Sequence, residues 1–149
     1  MAVAHGHLMQ IELRPFHIDD ADQTVALWQA CGLTRPWNDP YKDIQRKLAE
    51  EPDLFVLAVQ DAQVIGSVMA GYDGHRGWIY YLAVLPQYQS LGLGRQLLQH
   101  AEEGLHALGC PKVQLMIRQD NSVVQAFYRT LGYEPAEVQV LGKRLIADQ

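Results

Sequence analysis

The 149-residue sequence lacks several features that mark specialised classes of protein. Its only cysteines are Cys31 and Cys110, which excludes a disulfide framework and a cysteine-rich zinc site. Twelve basic residues against seventeen acidic ones leave a net charge of -5, without the basic excess of a nucleic-acid binder. No apolar run reaches the roughly 20 residues that a membrane-spanning helix needs. The sequence therefore predicts a reduced, cytoplasmic protein that binds neither nucleic acid nor membrane.

The first eight residues, MAVAHGHL, precede a second methionine and lack the charged-then-apolar pattern of a signal peptide. We interpret residues 1–8 as a flexible extension, either a tag remnant or an upstream start. His5 and His7 provide too few ligands for a metal site on a flexible tail, so no metal is expected. Residues 9–149 have the length and the hydrophobic content of a single domain with its own core.

Hydrophobic periodicity predicts the order β-α-α-β-β-β-α-β-α-β along residues 9–149, which indicates one mixed sheet covered by helices. The strand WIYYLAV is almost continuously apolar, as expected for a strand that is covered on both faces. An apolar stripe on the third helix continues to Leu108. The other predicted strands are MQIELRPF, DLFVLAV, VIGSVMAGY, CPKVQLMIR and a final strand or strand pair in EPAEVQVLGKRLI; the helices are DDADQTVALWQACG, YKDIQRKLAEE, the run from Leu93 to Leu108, and NSVVQAFYRTLG.

A short glycine turn, QSLGLG, lies between the central strand and the third helix. The first N–H groups of a helix have no intrahelical acceptor, and the helix dipole adds positive partial charge there. Because glycine lets an anion approach the backbone, phosphate binding is one interpretation and a simple turn is the other. The spacing is neither that of a P-loop, which needs a Lys-Ser/Thr pair, nor that of a dinucleotide fingerprint, since Leu97 stands where the third glycine belongs.

Two longer segments together resemble the GNAT superfamily, the Gcn5-related N-acetyltransferases. QSLGLG, from Gln89 to Gly94, resembles the family motif Q/R-x-x-G-x-G/A within YYLAVLPQYQSLGLGRQLLQHAE, which is similar to the family's strand, turn and helix. NSVVQAFYRTLGYE resembles the next family segment, in which an asparagine opens a helix that carries a tyrosine. RPWNDP, GYDGHRG and LGKRLI are similar to segments of the small bacterial YpeA-type acetyltransferases, a likeness that supplies no acceptor.

The resemblance implies the GNAT fold, an α/β fold with a mixed central sheet, a splayed pair of strands and about four helices packed on both faces. It implies an acyltransferase that moves an acetyl group from acetyl-coenzyme A to a primary amine by direct attack in a ternary complex. The acceptor would be a small amine, an amino acid or a protein N-terminus. The resemblance also implies a homodimer whose contacts are formed by the C-terminal strands. A non-catalytic module that senses acyl-coenzyme A is the alternative function.

The resemblance also assigns residues to the cofactor. Backbone amides of the glycine turn would hold the pyrophosphate of coenzyme A, and the backbone of the preceding strand would pair with its pantetheine arm. Arg95 would reach a phosphate or merely be solvated, and Asn121 would contact the cofactor or only cap its helix. The assigned residues are Leu82, Ala83, Val84, Gln89, Ser90, Leu91, Gly92, Leu93, Gly94, Arg95 and Asn121.

The resemblance makes Tyr128 the catalytic residue, with its hydroxyl directed at the thioester sulfur; the alternative is a core aromatic. Alanine acetyltransferases of ribosomal proteins carry a glutamate that aligns with Met116 here, and a methionine cannot accept a proton. A base acting through water is a further option. The candidates on the acceptor side are Trp37, Asn38, Asp39, Asp73 and His75. Asp39, Asp73 and His75 are the candidates for the general base. Trp37 would otherwise anchor a long loop, and DGHRG would otherwise be only an exposed turn.

Overall fold

The computed structural model describes residues 10–148, so the extension predicted for residues 1–8 lies outside the described residues. Its five-stranded sheet has the order β1-β2-β3-β4-β5, with antiparallel pairing from β1 to β4 and a parallel β5 at the edge. The strands are β1 Glu12–Pro15, β2 Phe55–Gln60, β3 Gln63–Tyr72, β4 Gly77–Val84 and β5 Val113–Leu115; the α-helices are α1 Ala21–Ala30, α2 Pro40–Leu48, α3 Leu93–Ala107 and α4 Ser122–Thr130. Among residues 10–148, no helix is long and apolar enough to cross a membrane.

Two hydrophobic clusters cover the two faces of the sheet, as the alternation of side chains along a strand requires. Helices α3 and α4 cover one face, where Leu97 and Leu105 are fully buried. Helices α1 and α2 cover the other, where Trp28 and Ile44 are buried. The prediction of a mixed sheet with about four helices on both faces is confirmed.

Helices α1 and α2 are joined by a loop that the sequence delimits at both ends. Gly32 follows α1 with a φ of 69°, a left-handed conformation that glycine adopts at little cost. Asp39 caps α2, because its Oδ1 accepts a hydrogen bond of 2.9 Å from the N–H of Tyr41. Pro40 occupies the first helical position, where its missing N–H costs nothing. These signals hold the loop 33–38 over the α1 and α2 face of the sheet.

Strand β4 contains a bulge at Tyr81. Ser67 of β3 pairs with Ala83, but Met69 pairs with Tyr80, so β4 carries one residue more than β3 over this stretch. Tyr81 has a φ of 52°, in the left-handed region that non-glycine residues rarely adopt. The Ser67 hydroxyl donates a hydrogen bond of 2.7 Å to the Tyr81 carbonyl, which stabilises the bulge.

Strands β4 and β5 part beyond their first three residue pairs. Their parallel register runs from Gly77 and Val113 to Ile79 and Leu115. Residues 80–84 of β4 therefore have no strand partner on the β5 side among the described residues. This opening is the splayed pair of strands that the family resemblance implies.

The prediction of a final strand in EPAEVQVLGKRLI is wrong. Residues 134–148 contain no strand, and Val138, Val140 and Leu141 are exposed, so their spacing creates no buried face. Pro135 and Gly142 interrupt the segment, and polar contacts of Asp148 hold its end. The strands through which the resemblance implies a homodimer are therefore absent from residues 134–148, and the homodimer itself stays a prediction.

Two smaller expectations also fail. Strand β5 is three residues long rather than nine, because the chain leaves β4 after Leu115. Leu108 is 51% exposed, since α3 ends at Ala107 and the residue no longer lies on the buried stripe.

Candidate active site

The glycine turn presents backbone donors to open space. A 3-10 turn, Pro86–Leu91, leads to Gly92, whose φ of 75° turns the chain into α3. The first intrahelical bond runs from the N–H of Gln96 to the Gly92 carbonyl at 3.2 Å, so the N–H groups of the three residues between them have no helical acceptor. A Cβ built on Gly92 would meet nothing within 4 Å. The turn thus has the geometry of an anion-binding helix N-terminus.

The turn is fastened to the end of β4. The Gln89 side chain donates a hydrogen bond of 3.0 Å to the Val84 carbonyl, and the Cys31 thiol donates to the same oxygen at 3.2 Å. Leu93 is 1% exposed and anchors the first turn of α3 in the core. Ser90, Leu91 and Arg95 are exposed around the turn, and Arg95 has no carboxylate partner among residues 10–148.

The predicted pantetheine strand keeps its side chains inside and one backbone edge open. Ala83 and Val84 are buried on opposite faces of the sheet, and Leu82 is half-buried. Because β5 has parted from β4 here, the edge of residues 82–84 faces the opening between the two strands. Backbone groups along such an edge can pair with an added extended chain.

Tyr128 is buried in the wall of a cleft of about 1610 Å³ between β5, α3, α4 and the C-terminal segment. Its ring meets the rings of Phe127 and Tyr133 edge to face, at centroid distances of 5.2 and 5.6 Å. Burial raises the pKa of Tyr128 to about 12, because the charged phenolate is poorly solvated there. Among residues 10–148 its hydroxyl has no hydrogen-bond partner, whereas the Tyr133 hydroxyl donates to Glu102 Oε2 at 2.7 Å.

Asn121 and Met116 lie at the ends of the neighbouring elements. Asn121 caps α4, since its Oδ1 accepts a hydrogen bond of 3.1 Å from the N–H of Val124. The capping interpretation is therefore correct, and a cofactor contact by the same side chain stays a prediction. Met116 is 51% exposed directly after β5, and no carboxylate stands in its place.

The acceptor-side loop is tied to the bulge in β4 by a polar network. Asp43 Oδ2 accepts hydrogen bonds from Asn38 Nδ2 at 2.6 Å and from the Tyr81 hydroxyl at 2.7 Å. The Tyr81 ring stacks on the Trp28 ring with a centroid distance of 3.7 Å, and Trp28 Nε1 donates a hydrogen bond of 3.0 Å to the Ser67 hydroxyl. Burial, reinforced by Asp43, raises the pKa of Tyr81 above its usual range. The Tyr81 hydroxyl is therefore a fixed hydrogen-bond donor at neutral pH.

The remaining acceptor-side candidates lie in different places. Trp37 is 54% exposed, so it does not anchor the loop by packing. Asp39 is engaged as the cap of α2. Asp73 lies in the exposed turn at the other end of β4 from the glycine turn, where hydrogen bonds from the N–H groups of Arg76 and His75 lower its pKa. The His75 side chain is exposed in that turn.

The sequence pattern did not mark Asp43, Tyr81 or Asp148 as site residues. Tyr81 looked like an ordinary strand residue, because a left-handed φ at a non-glycine position leaves no trace in the sequence. Asp148 has a side chain that is 1% exposed, and it accepts hydrogen bonds from Arg46 Nη2 at 2.5 Å and from the Asp39 N–H at 2.9 Å. Arg46, and then the backbone bond, lower the pKa of Asp148 to about 2.

Comparisons with known proteins agree with this geometry. The Acetyltransferase (GNAT) family matches residues 12–133. An acetyltransferase of Sodalis glossinidius is 50% identical over 140 residues, and one of Pectobacterium atrosepticum is 48% identical over 139 residues; each match covers 93% of this chain and 99% of the relative. The solved structure of AAC(6')-Iy with the bisubstrate analog CoA-S-monomethyl-acetylneamine has a TM-score of 0.73 at 17% identity, covers 92% of this chain and 99% of its own, and shows the likeness of the fold. The chain belongs to the GNAT family of acetyltransferases and is an acyltransferase.

Proposed function

We propose that the protein transfers the acetyl group of acetyl-coenzyme A to a primary amine, by direct attack in a ternary complex, with Tyr128 as the catalytic residue. The observation that carries this proposal is the buried tyrosine in the cleft beside β5, protonated at neutral pH and with a hydroxyl free of partners among residues 10–148. The acceptor is a small amine, an amino acid or a protein N-terminus.

The cofactor fits the two backbone features described above. The open turn of residues 89–94, with the unpaired N–H groups that begin α3, would hold the pyrophosphate. Arg95 lies in the first turn of α3, and Asn121 caps the start of α4. The free edge of residues 82–84 would pair with the pantetheine arm as an added strand. When bound, acetyl-coenzyme A supplies an activated thioester. Both contacts use the main chain, so they require the conformations seen here rather than particular side chains.

Tyr128 would act first as a hydrogen-bond donor to the sulfur and only later as a proton source. Burial raises the pKa of Tyr128 to about 12, whereas a thiol has a pKa of about 8.5. Complete proton transfer from the tyrosine to the thiolate is then uphill by ~5 kcal/mol. A neutral hydroxyl aimed at the developing negative charge stabilises it without that cost.

The environment of the candidate general bases favours an acceptor amine that is easily deprotonated. Asp39 and Asp73 already accept backbone hydrogen bonds. His75 lies with Asp73 in the exposed turn at the other end of β4 from the glycine turn. Deprotonating a lysine-type amine at neutral pH costs about 4.6 kcal/mol, while an α-amine costs only about 1 kcal/mol. An α-amine, deprotonated through water, is therefore the acceptor chemistry that this site supports best.

The test is coenzyme A release from acetyl-coenzyme A in the presence of pooled polyamines, amino acids or short peptides, followed with a thiol reagent. In Tyr128→Phe we expect kcat to fall by about 10²–10⁴ while acetyl-coenzyme A binding persists. Tyr133→Phe is the matched control, because it removes a hydroxyl from the ring packed against Tyr128. Release that survives in Tyr128→Phe would remove the tyrosine from the mechanism. Binding without release in any pool would favour the sensor alternative, and no binding would overturn the proposal.

A further inference from the structure

A second cleft, of about 610 Å³, lies between the loop before α2 and the C-terminal segment. Three cationic side chains line it, Arg46, Lys143 and Arg144, together with the exposed indole of Trp37. None of the described residues that line it is acidic. This local excess of positive charge contrasts with the net charge of -5 of the whole chain.

The carboxylate that accompanies these cations lies behind the cleft rather than in it. The Asp148 side chain is 1% exposed and holds Arg46 by a hydrogen bond of 2.5 Å. Its other oxygen accepts from the Asp39 N–H and lies 3.8 Å from Arg144 Nη1. Arg46 is also paired with Asp43 Oδ1 at 3.1 Å, so two carboxylates balance its charge. The cleft therefore owes its positive charge to Lys143 and, in part, to Arg144.

Lys143 faces the cleft without a partner. Among residues 10–148 it makes no hydrogen bond and no ion pair. Arg144 donates only to the Ile146 carbonyl at 3.2 Å and to Asn38 Oδ1 at 3.3 Å, besides its long contact with Asp148. Both cations therefore retain donors that an anionic ligand can use.

The cleft is connected to the bulge in β4 through Asn38. Arg144 Nη2 donates to Asn38 Oδ1, and Asn38 Nδ2 lies 3.4 Å from the Tyr81 hydroxyl. Tyr81 directly precedes residues 82–84, the part of the free edge assigned to the pantetheine arm. Arg144 and Asn38 thus link a molecule in the cleft to Tyr81, next to the strand edge assigned to the pantetheine arm.

We propose that this cleft binds an anionic group, a carboxylate or a phosphate, carried by the acceptor amine. Lys143 and Arg144 bind the anion, and Trp37 covers the apolar part of the acceptor. The inference rests on the proposed function and narrows it: amino acids and other anionic amines are acceptors, whereas polyamines are disfavoured by the uncompensated charge of Lys143.

The experiment compares kcat/KM for amino acids, for the matching amino-acid amides and for aminoalkylphosphonates in the wild type, Lys143→Gln and Arg144→Gln. Arg76→Gln, which removes a cation from the turn at the far end of β4, is the charge-matched control. Differences in amine basicity cancel, because each acceptor is compared with itself across the variants. We expect Lys143→Gln to reduce the preference for charged over neutral acceptors roughly ten-fold, and the control to leave it unchanged. The anion that shows the larger loss is the one the cleft recognises.

An equal effect on charged and neutral acceptors, or no effect, would overturn the inference while leaving the proposed function intact. A second readout does not need turnover: calorimetric binding of N-acetylated amino acids and their amides, with and without coenzyme A. Tighter binding of the acids, lost in Lys143→Gln, supports the anion site even if no acceptor is turned over. Equal binding of acids and amides by the wild type would refute it.

Discussion

The glycine turn and the acceptor side of the sheet present different kinds of polar group. At the glycine turn, one hexapeptide offers main-chain N–H groups, and its few side-chain contacts serve to fasten it. On the acceptor side, the polar groups are side chains from separate segments that hydrogen-bond to one another: Asn38, Asp43, Tyr81 and Arg144. A main-chain site survives most substitutions, whereas a side-chain network can change its ligand one residue at a time.

The largest effect is expected in the core beneath the acceptor side. Trp28→Ala should lower the free energy of unfolding by about 3–5 kcal/mol, because it empties a fully buried site. It also removes the stack on Tyr81 and the hydrogen bond to Ser67. Urea denaturation measures the loss. Trp37→Ala is the matched control and should stay within about 0.5 kcal/mol, since that indole is exposed; similar losses in both would contradict this packing.

A medium effect should separate the two glycines of the turn. Gly92→Ala should lower the free energy of unfolding by roughly 1–2 kcal/mol, because an alanine is strained at a φ of 75°. Gly94→Ala should not, because its Cβ would lie in ordinary contact, 3.7 Å from Phe127 and 3.8 Å from Val84, within a helix that favours alanine. Thermal unfolding tests the contrast. Equal losses would mean that the turn does not depend on the left-handed residue.

The smallest effect concerns Asn121 and resolves its two roles. Asn121→Ala should lower the free energy of unfolding by about 1 kcal/mol through loss of the helix cap, and Asn121→Ser should restore most of it. We expect Asn121→Ser to bind acetyl-coenzyme A several-fold more weakly in calorimetry, since serine keeps the cap and loses the amide. Unchanged affinity would assign Asn121 to the cap alone.

The fold was predictable wherever local signals agree with packing. The hairpin of β2 and β3, the end of α1 at Gly32 and the covered strand β4 all follow from periodicity and turn residues. The segment 134–148 was not, because its alternating valines suggest a strand, whereas Arg144 and Asp148 near its end bind residues 38–46, which lie more than 100 residues earlier in the chain. Long-range ion pairs of this kind leave no pattern in the sequence.

The site divides in the same way. Residues 82–84 and 89–94 were predictable, because a contiguous stretch of backbone carries their geometry. Asp43 and Tyr81 were not, since they lie 38 residues apart and meet only through the fold. Asp73 and His75 were predicted as acceptor-side residues from their chemical type alone, yet they lie in an exposed turn at the far end of β4.

The bulge at Tyr81 reverses which face of the sheet each later residue of β4 serves. Ile79 belongs to the core under α3 and α4, and strict alternation would send Tyr81 to the same core. The extra residue sends Tyr81 and Ala83 to the α1 and α2 side instead, and Leu82 and Val84 to the α3 side. Deleting one residue there would hardly shorten the strand. It would, however, move every later side chain of β4 to the opposite face of the sheet and turn Tyr81 away from Asp43.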